Sequence, residues 1–258
     1  MTRVRRGRAR NRRGILMNND RRHKPFVAWI AAVAACCALA AAQVAHADQS
    51  WPQTSPEGLQ LTKTLPHGAV YLKPGASFGQ YKRLAILDCF VDFAKDWQRD
   101  YNMNEPDLEM QVSKADMDRI RKELAAEFKR VFTQELQTKG GYEIVDVAAP
   151  DVLILRPALL NLIVNAPEID TAPTMAFSVV QSAGQMTLYL ELWDSTTNTL
   201  LARVIDTEAD TGTGFAQAGG TVRNKEAADA LLTAWADRLR SALQAANAAA
   251  TTGSTGQK

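Results

Sequence analysis

The chain has 258 residues, 46% of them apolar and 22% charged, which is a globular composition and not a disordered or collagen-like one. Its net charge of +2 averages two unlike parts: residues 1–47 hold ten of the 30 Lys/Arg and a single acid, Asp20, so residues 48–258 carry 20 bases against 27 acids, a net −7. An acidic body argues against a nucleic-acid partner bound through its phosphates, and with only His67 and Cys89 left after residue 47 it has no means to build a zinc finger, a His-rich metal site or an internal disulfide.

The N-terminus reads as an export signal. Arg21, Arg22 and Lys24 precede an apolar run from Phe26 to about Val44, and Ala45-His46-Ala47 offers small residues at the two positions a signal peptidase needs. Cleavage between Ala47 and Asp48 is the expectation. Two alternatives stay open: lipidation at Cys36, since Val33-Ala34-Ala35-Cys36 fits a lipoprotein signal, and an uncleaved anchor, since the 20 residues from Phe26 to Ala45 are long enough to span a bilayer. All three export the body and leave the bases in the cytoplasm. Residues 1–16, with seven arginines, are poor signal sequence, and Met17 is an alternative start.

Residues 48–66 hold three prolines and few apolar side chains and read as a flexible arm, removable without loss of the fold. Lys82–Phe93 alternates as a central strand with apolar residues on both faces. A polar, acidic connection runs to Val112. Ser113 and Asp116 then form a capping-box start to a helix of about 25 residues, with Met117, Ile120, Leu124, Phe128 and Leu136 on one stripe, ending at Gly140-Gly141. Tyr142–Val147 is a short strand, and 151–164 a longer one with a bulge expected at Pro157. Met186–Trp193 and Thr199–Thr207 form a β-hairpin across Asp194-Ser195-Thr196-Thr197-Asn198. Asn224 is the expected cap of a last helix that buries Leu231, Leu232, Trp235, Leu239 and Leu243. The order predicts a single α/β domain over residues 67–246, a two-layer sandwich with a mixed sheet of roughly four to five strands and two helices on one face. Residues 247–258 are expected to be a disordered tail.

No catalytic, cofactor or metal site emerges. Asp88, Asp92, Asp96, Asp100, Glu105, Asp107 and Glu109 cluster in sequence, but Asp88 and Asp92 on one strand stand about 13 Å apart. That is too far for a carboxylate pair acting on one bond, and the spacing lacks a calcium-loop rhythm. His67 sits in a Pro-His-Gly turn, and Cys89 lies in the expected core strand, where a thiol buries like a small hydrophobe. Residues 211–221 contain Gly-x-Gly but not the strand–glycine–helix order of a phosphate cradle. Ser178, Ser182 and Ser195 lack the Gly-x-Ser-x-Gly elbow. Trp51, Tyr71, Phe78, Tyr81, Trp97 and Tyr101 crowd the first part of the body, fitting either an interface or a sheet edge.

Tyr71, Lys73-Pro74-Gly75-Ala76, Phe78 and Tyr81-Lys82-Arg83, followed by a strand ending in Asp194-Ser195-Thr196-Thr197 and leading to Leu200-Leu201-Ala202, resemble the two blocks of a bacterial family of proposed lipoproteins, domain of unknown function 3313. The resemblance runs from about Gly58 to Leu243. It implies export and often lipidation, and brings no activity, cofactor or catalytic residue. The expectation is a non-enzymatic protein of the periplasm or cell envelope of a Gram-negative bacterium, with an outer-membrane anchor as one option. It would dock an envelope protein and touch the membrane only through an uncleaved signal or a lipid. The alternative is a periplasmic small-ligand-binding protein with a pocket between the sheet and the 165–185 segment.

Overall fold

Alternation of side chains begins earlier in the chain than its prolines suggest. The computed structural model describes residues 50–167, 169, 179–180, 184–210, 217–218 and 221–255. Strands β1 (Gln60–Leu65) and β2 (Gly68–Leu72) form an antiparallel hairpin turned at His67, and Leu59 just before it is buried. The flexible arm expected over 48–66 is therefore corrected: its described part supplies an edge strand and a buried leucine. Trp51 packs against a cluster of Leu59, Ala69, Tyr71 and Leu200, and the Tyr71 hydroxyl donates to the Pro52 carbonyl at 2.9 Å.

The expected strand over 82–93 divides into β3 (Arg83–Ile86) and β4 (Phe90–Phe93). Both run parallel to β6 (Val152–Val164), with a break at Leu87–Cys89. Helix α1 (Trp97–Asn104) follows, where only a polar connection was expected. Its signal is two aromatics one turn apart: Trp97 stacks on Phe93 with centroids 4.5 Å apart, and Tyr101 lies 5.6 Å beyond. Helix α2 (Lys114–Thr133) starts on the expected capping box, Ser113 N–H donating to Asp116 Oδ2 at 2.9 Å and Asp116 N–H to Ser113 Oγ at 3.1 Å. It runs on through a π-helical turn to Lys139.

The two-residue β5 (Glu143–Ile144) pairs with β3. Strand β6 has its irregularity between Leu160 and Ile163, where Asn161 takes φ 53°, and not at Pro157. Proline is tolerated because Leu155 C=O accepts from Leu87 N–H at 3.0 Å. The Pro157 nitrogen, two residues on, faces that same side, just where β3 gives way to β4, so the missing donor costs no ladder bond. The long hairpin of β8 (Gly184–Asp194) and β9 (Leu200–Ala209) forms as expected, while two-residue strands β7 (Val179–Val180) and β10 (Gln217–Ala218) pair separately. Glycine is required where the hairpins meet their neighbours: a Cβ on Gly68 would lie 2.0 Å from Ile205 O, and one on Gly184 (φ 148°) 1.9 Å from Ile163 O.

Helix α3 (Thr221–Thr255) begins before Asn224 and extends past the expected tail boundary at residue 247. Asn247 holds its far end to the body, donating to the Tyr142 hydroxyl at 2.8 Å and accepting from Lys82 Nζ at 3.0 Å. The main sheet among the described residues has eight strands in the order β1-β2-β9-β8-β6-β3-β5, with β4 also on β6. The mixed α/β class holds, but the sheet is larger than the predicted four to five strands and a third helix joins the expected two. All three helices bury side chains in one main core, against Leu155, Leu159, Leu188, Leu190 and Leu192 from the sheet.

The β8–β9 turn is locked by its first residue. Asp194 Oδ1 accepts from Thr196 N–H (2.9 Å), Thr197 N–H (2.8 Å) and both threonine hydroxyls, while Oδ2 accepts from the buried Tyr81 hydroxyl at 2.7 Å. Ser195 Oγ donates to Ala149 C=O at 2.7 Å and accepts from its N–H at 3.1 Å. The Tyr81 hydroxyl, with the threonine amides and hydroxyls, holds the Asp194 carboxyl well below the usual carboxylate range. A carboxyl depressed in the folded state contributes stability above its unfolded pKa, and that contribution fades as pH falls toward the folded value. Asp194→Ala should therefore cost about 2–3 kcal/mol at neutral pH and distinctly less at pH 3. Thermal melts at both pH values check this, and an equal deficit at both would contradict it.

Candidate functional site

One face of the sheet lies under the helices; the other is only partly covered. Period-two alternation along β6, β8 and β9 turns Ile154, Ala158, Leu160, Tyr189, Trp193 and Ile205 away from the main core. Residues 51–59 cover the β1–β2–β9 side of this second face, through Trp51 and Leu59. The remainder is open: Ile154, Ala158, Leu160, Tyr189 and Ile205 are half-buried, and on the β3–β4 margin Leu87 is 45% and Phe90 61% exposed. The break at Leu87–Cys89 sets this up, turning Leu87 and Phe90 outward while Cys89, Val91 and Phe93 stay in the core.

Charge lies at the border between the covered and open parts. Arg203 on β9 stands directly across from Glu191 on β8, and their side chains are only 9% and 8% exposed. Arg203 donates to Glu191 Oε1 at 2.7 Å and takes both oxygens of Glu57 at 2.8 and 2.9 Å, tying the N-terminal segment to the sheet. Glu191 also accepts from the Tyr189 hydroxyl and from Trp193 Nε1, each at 3.1 Å, and the guanidinium carbon lies 5.2 Å from the Tyr189 ring centroid. Bonds from Arg203 and then from the Ser55 hydroxyl pull the Glu57 carboxyl down to about 2. Burial, followed by the Glu191 charge, pushes the Tyr189 phenol up to about 12. The pairing with Glu57 and Glu191 raises Arg203 further. Such a network holds these side chains in one arrangement and fixes the border of the open surface.

The acids singled out in the sequence do not converge. Asp88 pairs with Lys129 at 3.5 Å, Asp92 with Arg121 at 3.2 Å, and Asp96 and Asp100 share Arg99 at 3.4 and 2.8 Å. Asp107 accepts from Glu109 N–H, and Glu105 from Asp107 N–H, within one turn. His67 is exposed, its carbonyl accepting from Thr207 N–H at 3.1 Å. Burial pushes the Cys89 thiol up to about 12, which suits a core residue and not a nucleophile. Ala47, Asp48 and Cys36, Ser178 and Ser182, and most of the 211–221 loop lie outside the described residues.

The Arg203–Glu191–Glu57 network was not anticipated. Half of it was within reach, because the hairpin register about Asp194–Asn198 places Glu191 opposite Arg203. Glu57, 146 positions from Arg203, leaves no such sign.

A family model described as "Protein of unknown function (DUF3313)" matches residues 54–239, well over half of the chain. The chain belongs to this family. Its two resemblance blocks meet in space, since Tyr81 of the first donates to Asp194 of the second. Two solved structures are similar to the chain: the PelC dodecamer from Paraburkholderia phytofirmans and its L103M variant. Each is 11% identical, over 67% of this chain and 97% of theirs, with a TM-score of 0.35. That score is too low to bear on fold, assembly or function. A search of curated proteins gives no match.

Proposed function

We propose that this family member is an exported, non-enzymatic protein of the Gram-negative cell envelope, and that it docks another envelope protein on the open part of its second sheet face. The observation that carries the reading is the exposure of Leu87 and Phe90 beside the half-buried Ala158, Leu160 and Tyr189. A contiguous apolar surface of this kind is a usual mark of a protein interface. Charge also stands within it: Arg156, its side chain 66% exposed between Ile154 and Ala158 on β6, lies across from Glu191, and arginine is enriched in protein interfaces. The rigid Arg203–Glu57 clamp keeps the surface preformed, which lowers the ordering cost of association.

A photo-crosslinking amino acid at position 90, introduced in intact cells, should capture an envelope protein, and Phe90→Asp should abolish a genuine complex while leaving the thermal melt unchanged. Adducts that persist when the label is moved to exposed Lys63, on the far edge, would defeat the reading. Mass spectrometry of the same exported protein should give an N-terminal peptide beginning at Asp48; an acylated Cys36 peptide would replace cleavage with lipid anchoring.

A further inference from the structure

A second feature lies at the opposite end of the fold from the Asp194 turn. A cavity of about 440 Å³ sits between α2, α3, the end of β6 and the start of β8. Its wall is apolar: Ile120 and Leu124 from α2, Leu162 and Val164 from β6, Met186 from β8 and Leu231 from α3. Size and lining are those of a small-molecule site. These side chains follow the helical stripe of α2 and the inward positions of the strands, yet Ile120, Leu124 and Leu231 stay only partly buried, unlike Phe128 and Phe132 further along α2.

The polar groups at this cavity are few and specific. Asn224 is held in one amide orientation, because its Nδ2 donates to Ala166 C=O at 2.8 Å. Its Oδ1 is buried and has no hydrogen-bond donor among the described residues. An acceptor in that position is satisfied by a ligand that brings a donor. The rim is acidic. Glu127 bonds Arg130 at 2.6 Å and also pairs with Lys225, and the Arg130 bond above all keeps its carboxyl ionised. Lys225 is thereby neutralised. Glu123, one turn earlier on α2 and exposed at the mouth, forms no ion pair among the described residues. A carboxylate or phosphate entering here would meet like charge without compensation, whereas a neutral or cationic head group would not.

We propose that this cavity binds a molecule with a long apolar chain ending in a neutral or positively charged hydrogen-bond donor. Long-chain alcohols, amides and amines have this chemistry. The chain lies among Leu124, Leu162, Met186 and Leu231, and the head group donates to Asn224 Oδ1. This goes beyond docking on the second sheet face, which uses none of these residues.

The test uses the purified protein and the fluorescence of N-phenyl-1-naphthylamine, a neutral apolar amine, with dodecylamine, dodecanol and dodecanoate as competitors below their micelle-forming concentrations. The probe should bind, and dodecylamine and dodecanol should displace it at concentrations about tenfold lower than dodecanoate. Ala228→Trp, which fills the cavity from α3, should abolish probe binding while keeping the wild-type melting temperature; Ile120→Trp, at a half-buried lining position, serves the same purpose if the first variant does not fold. Asn224→Ala should weaken displacement by dodecanol and narrow its advantage over dodecanoate, the remainder of which comes from the acidic rim. Absence of probe binding to the wild-type protein, equal displacement by dodecanoate, or unchanged binding in a folded cavity-filled variant would each overturn the proposal.

Discussion

Trp235→Ala should lower the unfolding free energy by about 3–5 kcal/mol, a large share of the roughly 5–15 kcal/mol available to a domain. Trp235 is 3% exposed on the inner side of α3, one turn from Leu232 and Leu239, so truncation leaves a cavity against the sheet. The indole also does what an aliphatic side chain could not: its Nε1–H donates to Asp206 Oδ2 at 3.0 Å. Asp206 is buried on β9, and burial holds its carboxyl above the ordinary range despite the Trp235 bond and the Arg238 guanidinium at 2.7 Å. Removing the indole takes away one of its two stabilising partners. Trp235→Phe separates the two contributions, keeping most of the apolar volume and losing the bond, and should cost about 1–2 kcal/mol. Urea unfolding of the wild type and both variants measures this. Equal losses for Phe and Ala would mean that the hydrogen bond, and not the packing, dominates.

Arg203→Ala should be of similar size, about 3–5 kcal/mol, because it leaves the Glu191 carboxylate buried without its principal counter-charge. The clamp on Glu57 goes with it, so residues 51–59 should loosen from the second face. Glu57→Gln provides the contrast. Glu57 is nearly half exposed, and Arg203 would keep Glu191, so that variant should melt close to the wild type. Urea unfolding with hydrogen exchange on Leu59 and Leu61 reports both effects. A near-wild-type melt for Arg203→Ala would show that Tyr189, Trp193 and Arg156 suffice to hold Glu191. Replacing both partners, Arg203→Met together with Glu191→Leu, should cost less than Arg203→Ala alone, because no buried charge is left unpaired.

The elements legible in the sequence were those written in local chemistry. The Ser113–Asp116 capping box, the α2 stripe and the Gly140-Gly141 stop all depend on residues within a few turns of one another, and each appears where expected. The β8–β9 hairpin is also local, since its turn and alternation lie within some twenty-five residues. Helix α1 was missed because its eight residues carry few apolar side chains; what stabilises it is Trp97 lying on Phe93, a contact with a preceding strand. The N-terminal segment was misread for the same reason. Its prolines are genuine, but Leu59 and β1 find partners on β2, and through Glu57 on β9.

What the sequence by itself determined was the charge division between its two parts, the shortage of His and Cys for metal or disulfide chemistry, the class of fold and the family blocks. These follow from counting, from period and from short spacing. Only the tertiary structure decided that the sheet has eight strands among the described residues, that Tyr81 and Asp194 form one lock, that Leu87 and Phe90 face outward and that Asn224, with its acceptor unmet, lines a cavity. Each of these joins residues far apart in the chain. The closure entropy of such contacts is repaid by burial and pairing in the whole assembly, and no local pattern of side chains records that balance.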